Sequence, residues 1–142
     1  MKIVNQLLEA KGREVWSIGP YDSVYDAVRR MAEKEIGALL VLDPSGIVGI
    51  MSERDYARQV ILKGRASRET PVREIMSEQV IAGRPEDTIE SCLALMTEKR
   101  IRHLPIIDDG ELVGLVSMGD LVKVIIAEQQ ATIEQLEHYI TG

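Results

Sequence analysis

Residues 100–120 read RIRHLPIIDDGELVGLVSMGD, and residues 35–55 read EIGALLVLDPSGIVGIMSERD. In each stretch two short runs of Val, Ile and Leu flank a turn composition, Asp108-Asp109-Gly110 in one and Pro44-Ser45-Gly46 in the other. Apolar runs of that length, bounded by such residues, are the pattern of a β-hairpin. Both stretches close on Ser-x-x-Asp: Ser52 with Asp55, and Ser117 with Asp120. The offset from residue 35 to residue 100 is 65, and it holds without a gap from the first residue of the stretch to the last.

The same offset extends upstream. Residues 15–55 align with 80–120, and the identical pairs include Pro20/Pro85, Asp22/Asp87, Met31/Met96, Lys34/Lys99, Gly49/Gly114, Ser52/Ser117 and Asp55/Asp120. One offset that spans helix, strand and turn patterns marks two copies of one unit. Each copy opens with a short strand, about 15–18 and 80–82, followed by Pro-x-Asp-Ser/Thr, a helix-start signal. Val24, Ala27, Val28 and Met31 then recur at helical spacing, as do Ile89, Cys92, Leu93 and Met96. The hairpin follows, and a second helix starts after Ser52 and after Ser117. The unit is β-α-β-β-α, and the fold class is α+β. The copies divide the chain into 1–65, the first repeat with its N-terminal segment, and 66–142, the second repeat with a C-terminal helix. Residues 62–71, with Gly64 and Pro71, form the linker. VNQLL before the first copy resembles VREIM before the second. An apolar stripe through Ile126, Ile133, Leu136 and Ile140 extends the last helix, to be docked on the protein or on a second copy.

The composition narrows the function. In 142 residues with a net charge of −6, a broad nucleic-acid surface is not expected, because such a surface needs a basic face. The single Cys92 forms no internal disulfide and, within its apolar helical pattern, reads as core. No apolar run approaches the roughly 18 residues of a membrane span. MKIVNQLLEAKG carries Glu9 and lacks the apolar centre of a secretion signal, so the expected location is the cytoplasm. His103 and His138 show no metal-ligand spacing. Neither a Walker loop, a Gly-x-Ser-x-Gly elbow nor a dinucleotide glycine fingerprint is present. With no nucleophile and base in evidence, the chain is not read as an enzyme.

What remains is the polar set at the ends of the strands. Ser and Asp at a helix start satisfy backbone N–H groups and suit the helix dipole, which explains either junction alone. The same junction suits a nucleotide: free N–H groups attract phosphate, and a carboxylate accepts hydrogen bonds from both hydroxyls of a ribose. Arg102 and His103 open the middle strand of the second copy, where Gly37 and Ala38 stand in the first. Arg102 reads as a solvated edge residue or a phosphate contact, and His103 as a satisfied imidazole or a phosphate contact. Arg54, inside Ser-Glu-Arg-Asp, is a surface residue or a further cation for phosphate.

The tandem unit, with IGALLVLDPSGIVGIMSERD and IRHLPIIDDGELVGLVSMGD together, resembles the cystathionine-β-synthase (CBS) domain pair, also called a Bateman module, over about residues 2–130. The resemblance implies two repeats packed about a pseudo-twofold axis, with two clefts for adenosine-containing ligands: AMP, ADP, ATP, S-adenosylmethionine or NAD(H). It implies Asp55 and Asp120 as ribose ligands, with Ser52 and Ser117 at the phosphate end. Arg102 and His103 would reach phosphate in the cleft of Asp55. One pocket would thus have cations for phosphate, and the other, with Gly37 and Ala38, small residues and room. Lys11 to Trp16 would line the cleft of Asp120. Leu40 departs from the family pattern, which the second copy keeps at Pro105. The implied function is a regulatory or sensory nucleotide-binding module, homodimeric, with no required cofactor; the alternative is a structural interaction module without a ligand.

Overall fold

A computed structural model describes residues 2–141. Its elements, in chain order, are α1 (Val4–Lys11), β1 (Ser17–Ile18), α2 (Val24–Lys34), β2 (Ala38–Asp43), β3 (Gly46–Ser52) and α3 (Glu53–Tyr56). A π-helical turn (Ala57–Ile61) prolongs α3, and a 3-10 turn (Val72–Glu74) follows. Then come α4 (Ile89–Lys99), β4 (His103–Asp108), β5 (Glu111–Ser117) and the long α5 (Met118–Thr141).

The repeat is preserved in bonding detail. Ahead of α2, Asp22 accepts a hydrogen bond from the Gly19 N–H, and ahead of α4, Asp87 accepts one from the Arg84 N–H, each at 2.9 Å. Ser23 Oγ then caps the Asp26 N–H and Thr88 Oγ1 the Ser91 N–H, both at 3.1 Å. The two helices end on left-handed residues 65 apart, Glu35 (φ 54°) and Arg100 (φ 57°). Both hairpins are antiparallel with two-residue turns, and both slip register at the same place, between Val41 and Leu42 and between Ile106 and Ile107. Asp109 and Gly110 both take positive φ, as the tight turn after β4 demands.

The chain folds into two compact units, and they do not follow the division at 65/66 expected from the repeat. One unit is Val15–Val80; the other is discontinuous, Met1–Glu14 with Ile81–Gly142. Each repeat is completed by the segment that precedes the other one. On the second repeat, Val4 N–H donates to Asp87 O at 2.9 Å, Asn5 N–H to Pro85 O at 2.8 Å and Ile89 N–H to Lys2 O at 3.1 Å. On the first repeat the matching bonds run from Val72 N–H to Asp22 O (2.9 Å), Arg73 N–H to Pro20 O (2.8 Å) and Val24 N–H to Thr70 O (2.8 Å). The side chains obey the same pairing. Leu8 lies over Gly114 and Met76 over Gly49, so close that a Cβ on either glycine would stand 2.6 Å from the side chain above it.

Each unit therefore has its own core. Val4, Leu7 and Leu8 join Ile89, Cys92, Met96, Leu104, Ile106, Val116 and Leu121. Val72 and Ile75 join Ile18, Val24, Ala27, Met31, Leu39, Val41, Met51 and Val60. Cys92 is buried, as its position in the helical pattern requires.

One further sequence expectation changes and another narrows. The first copy's short strand forms and pairs parallel to β2, Ser17 with Leu40 and Ile18 with Val41. Its counterpart at 80–82 does not form; a single parallel bridge, Gly83 with Ile106, stands there instead. The C-terminal stripe does lie on an extension of the last helix, and Ile126, Ile133, Leu136 and Ile140 are exposed, which leaves docking on a second copy as the open half of that expectation. Among the described residues no helix is long and apolar enough to cross a membrane.

Candidate functional site

The chemistry-bearing residues gather where a hairpin hands over to a helix. Ser52 is the last residue of β3 and the N-cap of α3, and Ser117 is the last residue of β5. The register sets Ala38 opposite Ser52 and His103 opposite Ser117. The first N–H of each helix is taken by the residue before the facing strand: Glu53 N–H donates to Gly37 O at 3.0 Å, and Met118 N–H to Arg102 O at 2.8 Å. Gly37 and Arg102 thus act through their carbonyls in holding both junctions shut.

At the first junction Asp55 Oδ2 accepts from Ser52 N–H (2.9 Å) and Ser52 Oγ lies 3.1 Å away, while Asp55 N–H donates to Ser52 Oγ at 3.2 Å. At the second, Asp120 Oδ2 accepts from Ser117 N–H (2.8 Å), and Asp120 N–H donates to Ser117 Oγ at 3.1 Å. These are reciprocal caps, in which side chain and backbone each satisfy the other. Both carboxylates remain only partly buried.

The surroundings of the two carboxylates differ. Lys11, in the last turn of α1, places its Nζ 2.6 Å from Asp120 Oδ2 and 2.7 Å from Leu115 O. Lys11 and Trp16, expected together, belong to different units. Trp16 packs on the first repeat's core and carries the Lys34 ammonium over its ring, 4.1 Å from the centroid. Aligning Val4 with Val72 and Leu8 with Met76 puts Gln79 where Lys11 stands, so the segment on the first repeat has no equivalent cation at that position.

Burial tends to raise the Asp120 carboxyl, but the Lys11 bond, the Ser117 bonds and the Lys11 charge outweigh it and hold it below the ordinary carboxylate value. His103 is pushed down from its ordinary value, first by burial and then by the Lys11 charge; Asp120 works in the opposite sense and Arg102 adds to the fall. His103 is therefore a half-buried imidazole that binds its second proton less readily than usual and feels the Asp120–Lys11 pair, and Arg102 beside it is exposed. Arg54 is exposed on α3. Ala38 is 1% exposed and contributes no open surface, since β2 carries its side chain into the interior. Leu40 and Pro105 are both buried, so the difference between them is one of packing and of a lost backbone donor.

A groove of about 580 Å³ opens between α2 and α3, lined by Val28, Met31, Ile36, Gly37, Tyr56 and Ile61 among others. Among the described residues, no group of three or more His, Cys, Asp or Glu side chains is placed to hold a metal ion.

Similarity to known proteins agrees with this geometry. The sequence profile of the CBS domain matches twice, over residues 11–61 and 72–127. A mitochondrial CBS domain-containing protein of Arabidopsis thaliana, CBSX3, is 37% identical over 98% of this chain and 72% of its own length. The structure of a protein with CBS domains from Burkholderia ambifaria MC40-6 is 51% identical, with a TM-score of 0.87 over 90% of this chain and 96% of that one. The CBS domain pair of protein MJ0100, solved with 5′-methylthioadenosine and S-adenosyl-L-methionine, shares the fold at 21% identity, with a TM-score of 0.79 over 90% of this chain and 98% of that one.

Proposed function

We propose, from the premise that this chain belongs to the CBS domain family, that it is a regulatory module whose Asp55 and Asp120 junctions each receive the ribose of an adenosine-containing ligand. The observation that carries this reading is the duplication of one junction, 65 residues apart, with a partly exposed carboxylate at a helix start in both copies. A carboxylate there accepts from two vicinal hydroxyls, and the N–H groups of the adjoining turn favour phosphate. AMP, ADP, ATP and NAD(H) are the ligands proposed for this chain. The adenosine compounds held by MJ0100, a protein of the same fold, extend the panel worth testing to 5′-methylthioadenosine and S-adenosylmethionine. Arg102, Arg54 and His103 are the proposed phosphate contacts, and Lys11 is proposed to help shape the Asp120 site.

A second reading has its own support. Each Asp already accepts from its own Ser, and Asp120 is further engaged by Lys11. On that reading the junctions only cap helices, and the chain serves assembly. The apolar groove beside α2, and the exposed apolar residues of α5, suit a homodimer on either reading.

Calorimetry with the panel, on the parent and on Asp55→Ala and Asp120→Ala, separates the two. Nucleotide binding predicts heat with the parent and a loss of about 1.5–3 kcal/mol in each variant, the usual worth of hydrogen bonds to a charged acceptor. Pure capping predicts no heat with any ligand and only a stability loss of about 0.5–2 kcal/mol.

A further inference from the structure

The last buried residue of α5 is Leu121, and Val124 and Ile125 lean on the same core. Beyond them the helix runs on to Thr141 with every side chain from Gln129 exposed. A free helix of about 16 residues is marginal in water. Apart from Tyr139, its exposed large apolar residues are not scattered. Val122, Ile126, Ile133, Leu136 and Ile140 are exposed, and with Gln129 they follow spacings of four, three, four, three and four. That is a strict seam of period 3.5, narrower than the stripe a helix turns toward a globular core. A seam of this period fits a partner helix of the same period.

We propose that residues 122–140 of α5 form a parallel, in-register, two-stranded coiled coil with the same segment of a second copy of this chain. The proposal deepens the homodimer suggested above and rests on that reading only for the existence of a second copy. Ile126, Ile133 and Ile140 take the a positions, and Val122, Gln129 and Leu136 the d positions. Ile at a with Leu at d is the combination that favours two parallel strands; all three a positions meet it, and Leu136 meets it at d.

Gln129 decides the direction. In the parallel register it meets the same residue of the second copy, and the two amides, each with a donor and an acceptor, satisfy one another. In the antiparallel arrangement that keeps the apolar seam paired, Gln129 faces Ile133 of the second copy, which offers an amide nothing. Charge does not oppose the parallel pairing. The chain carries −6 overall, yet Glu128 and Glu134 lie away from the seam, and the flanking cross-pairs are Ile125 with Gln130 and Thr132 with Glu137. None of these sets like charges together.

The test uses the full chain. Cys92 is buried and its thiol is pushed up to about 11 by burial and the Asp87 charge, so it stays silent under mild oxidation. Gln129→Cys should form a disulfide-linked dimer at least about tenfold faster than Gln135→Cys, whose position faces outward, because pairing raises the effective thiol concentration. Ile133→Asp should halve the mass measured by light scattering at micromolar concentration, with circular dichroism unchanged apart from a loss of helix at the C-terminus. Cross-linking between a Val122→Cys chain and an Ile140→Cys chain would show antiparallel pairing and overturn the proposal. So would equal rates at positions 129 and 135, or an Ile133→Asp variant that stays dimeric; in that last case the homodimer stands but uses another face. A monomeric parent removes both.

Discussion

Asp120 and His103 both feel the charge of Lys11, and they answer acid in the same direction. The imidazole is held below its ordinary value of 6.5, first by burial, so an unfolded chain takes up that proton before the folded one does. Its share of stability is full above about 6.5 and is lost as pH falls below it. The Asp120 carboxyl is also depressed: burial opposes ionisation, and Lys11 and Ser117 overcome it. Its share is full above 3.8 and is lost as pH falls further. Melting temperature should therefore drop in two stages on acidification, and His103→Gln should flatten the stage between pH 7 and 5 while leaving the lower one. An identical slope in parent and variant would remove His103 from that account. At this scale the sequence singled out the junction residues without ranking their burial. Ser52, Asp55, Ser117 and Asp120 were legible because a junction repeated at one offset stands out. The contrast between buried Ala38 and half-buried His103 was not, because burial depends on what the facing strand carries.

The hairpins and their helices were legible for a related reason: short apolar runs, turn residues and N-caps are local signals, and each appears twice. The exchange of leading segments was not, since VNQLL and VREIM carry the same apolar spacing and either would suit either bed. Gly49 and Gly114 mark those beds, and they should not tolerate a methyl group equally. At Gly114 the new Cβ meets Leu8 Cδ2 at 2.6 Å, the movable end of a side chain. At Gly49 it meets Met76 Sδ at 2.6 Å and also the backbone oxygen of Ser77 at 2.9 Å, which cannot swing aside. Gly49→Ala should cost more than Gly114→Ala, within the usual overpacking range of about 1–3 kcal/mol. Urea unfolding would measure both. Leu8→Ala alone should lose about 2–5 kcal/mol, and combined with Gly114→Ala it should lose less than the sum, since the clash disappears with the side chain that causes it. Strict additivity would mean that Leu8 already moves clear.

For the whole molecule, the partition into Val15–Val80 and a discontinuous second unit carries a direct expectation. A chain lacking residues 1–14 forfeits Val4, Leu7 and Leu8 from one core and none from the other. Amide exchange in β4 and β5 should accelerate in that shortened chain, while β2 and β3 keep their protection. Equal loss in both hairpins would show that the units do not hold themselves independently. The discontinuity also sets a clock. A ribosome delivers the chain from its N-terminus at about 5–20 residues per second. The bed of Met76 at Gly49 is already made when residues 72–76 emerge, so the first unit closes as it is born. α1 has no such fortune: Gly114 follows Leu8 only after roughly 5–20 s of further synthesis. Through that interval Leu7 and Leu8 are in water or in borrowed company, and α1, made before every other described element, is among the last to come home.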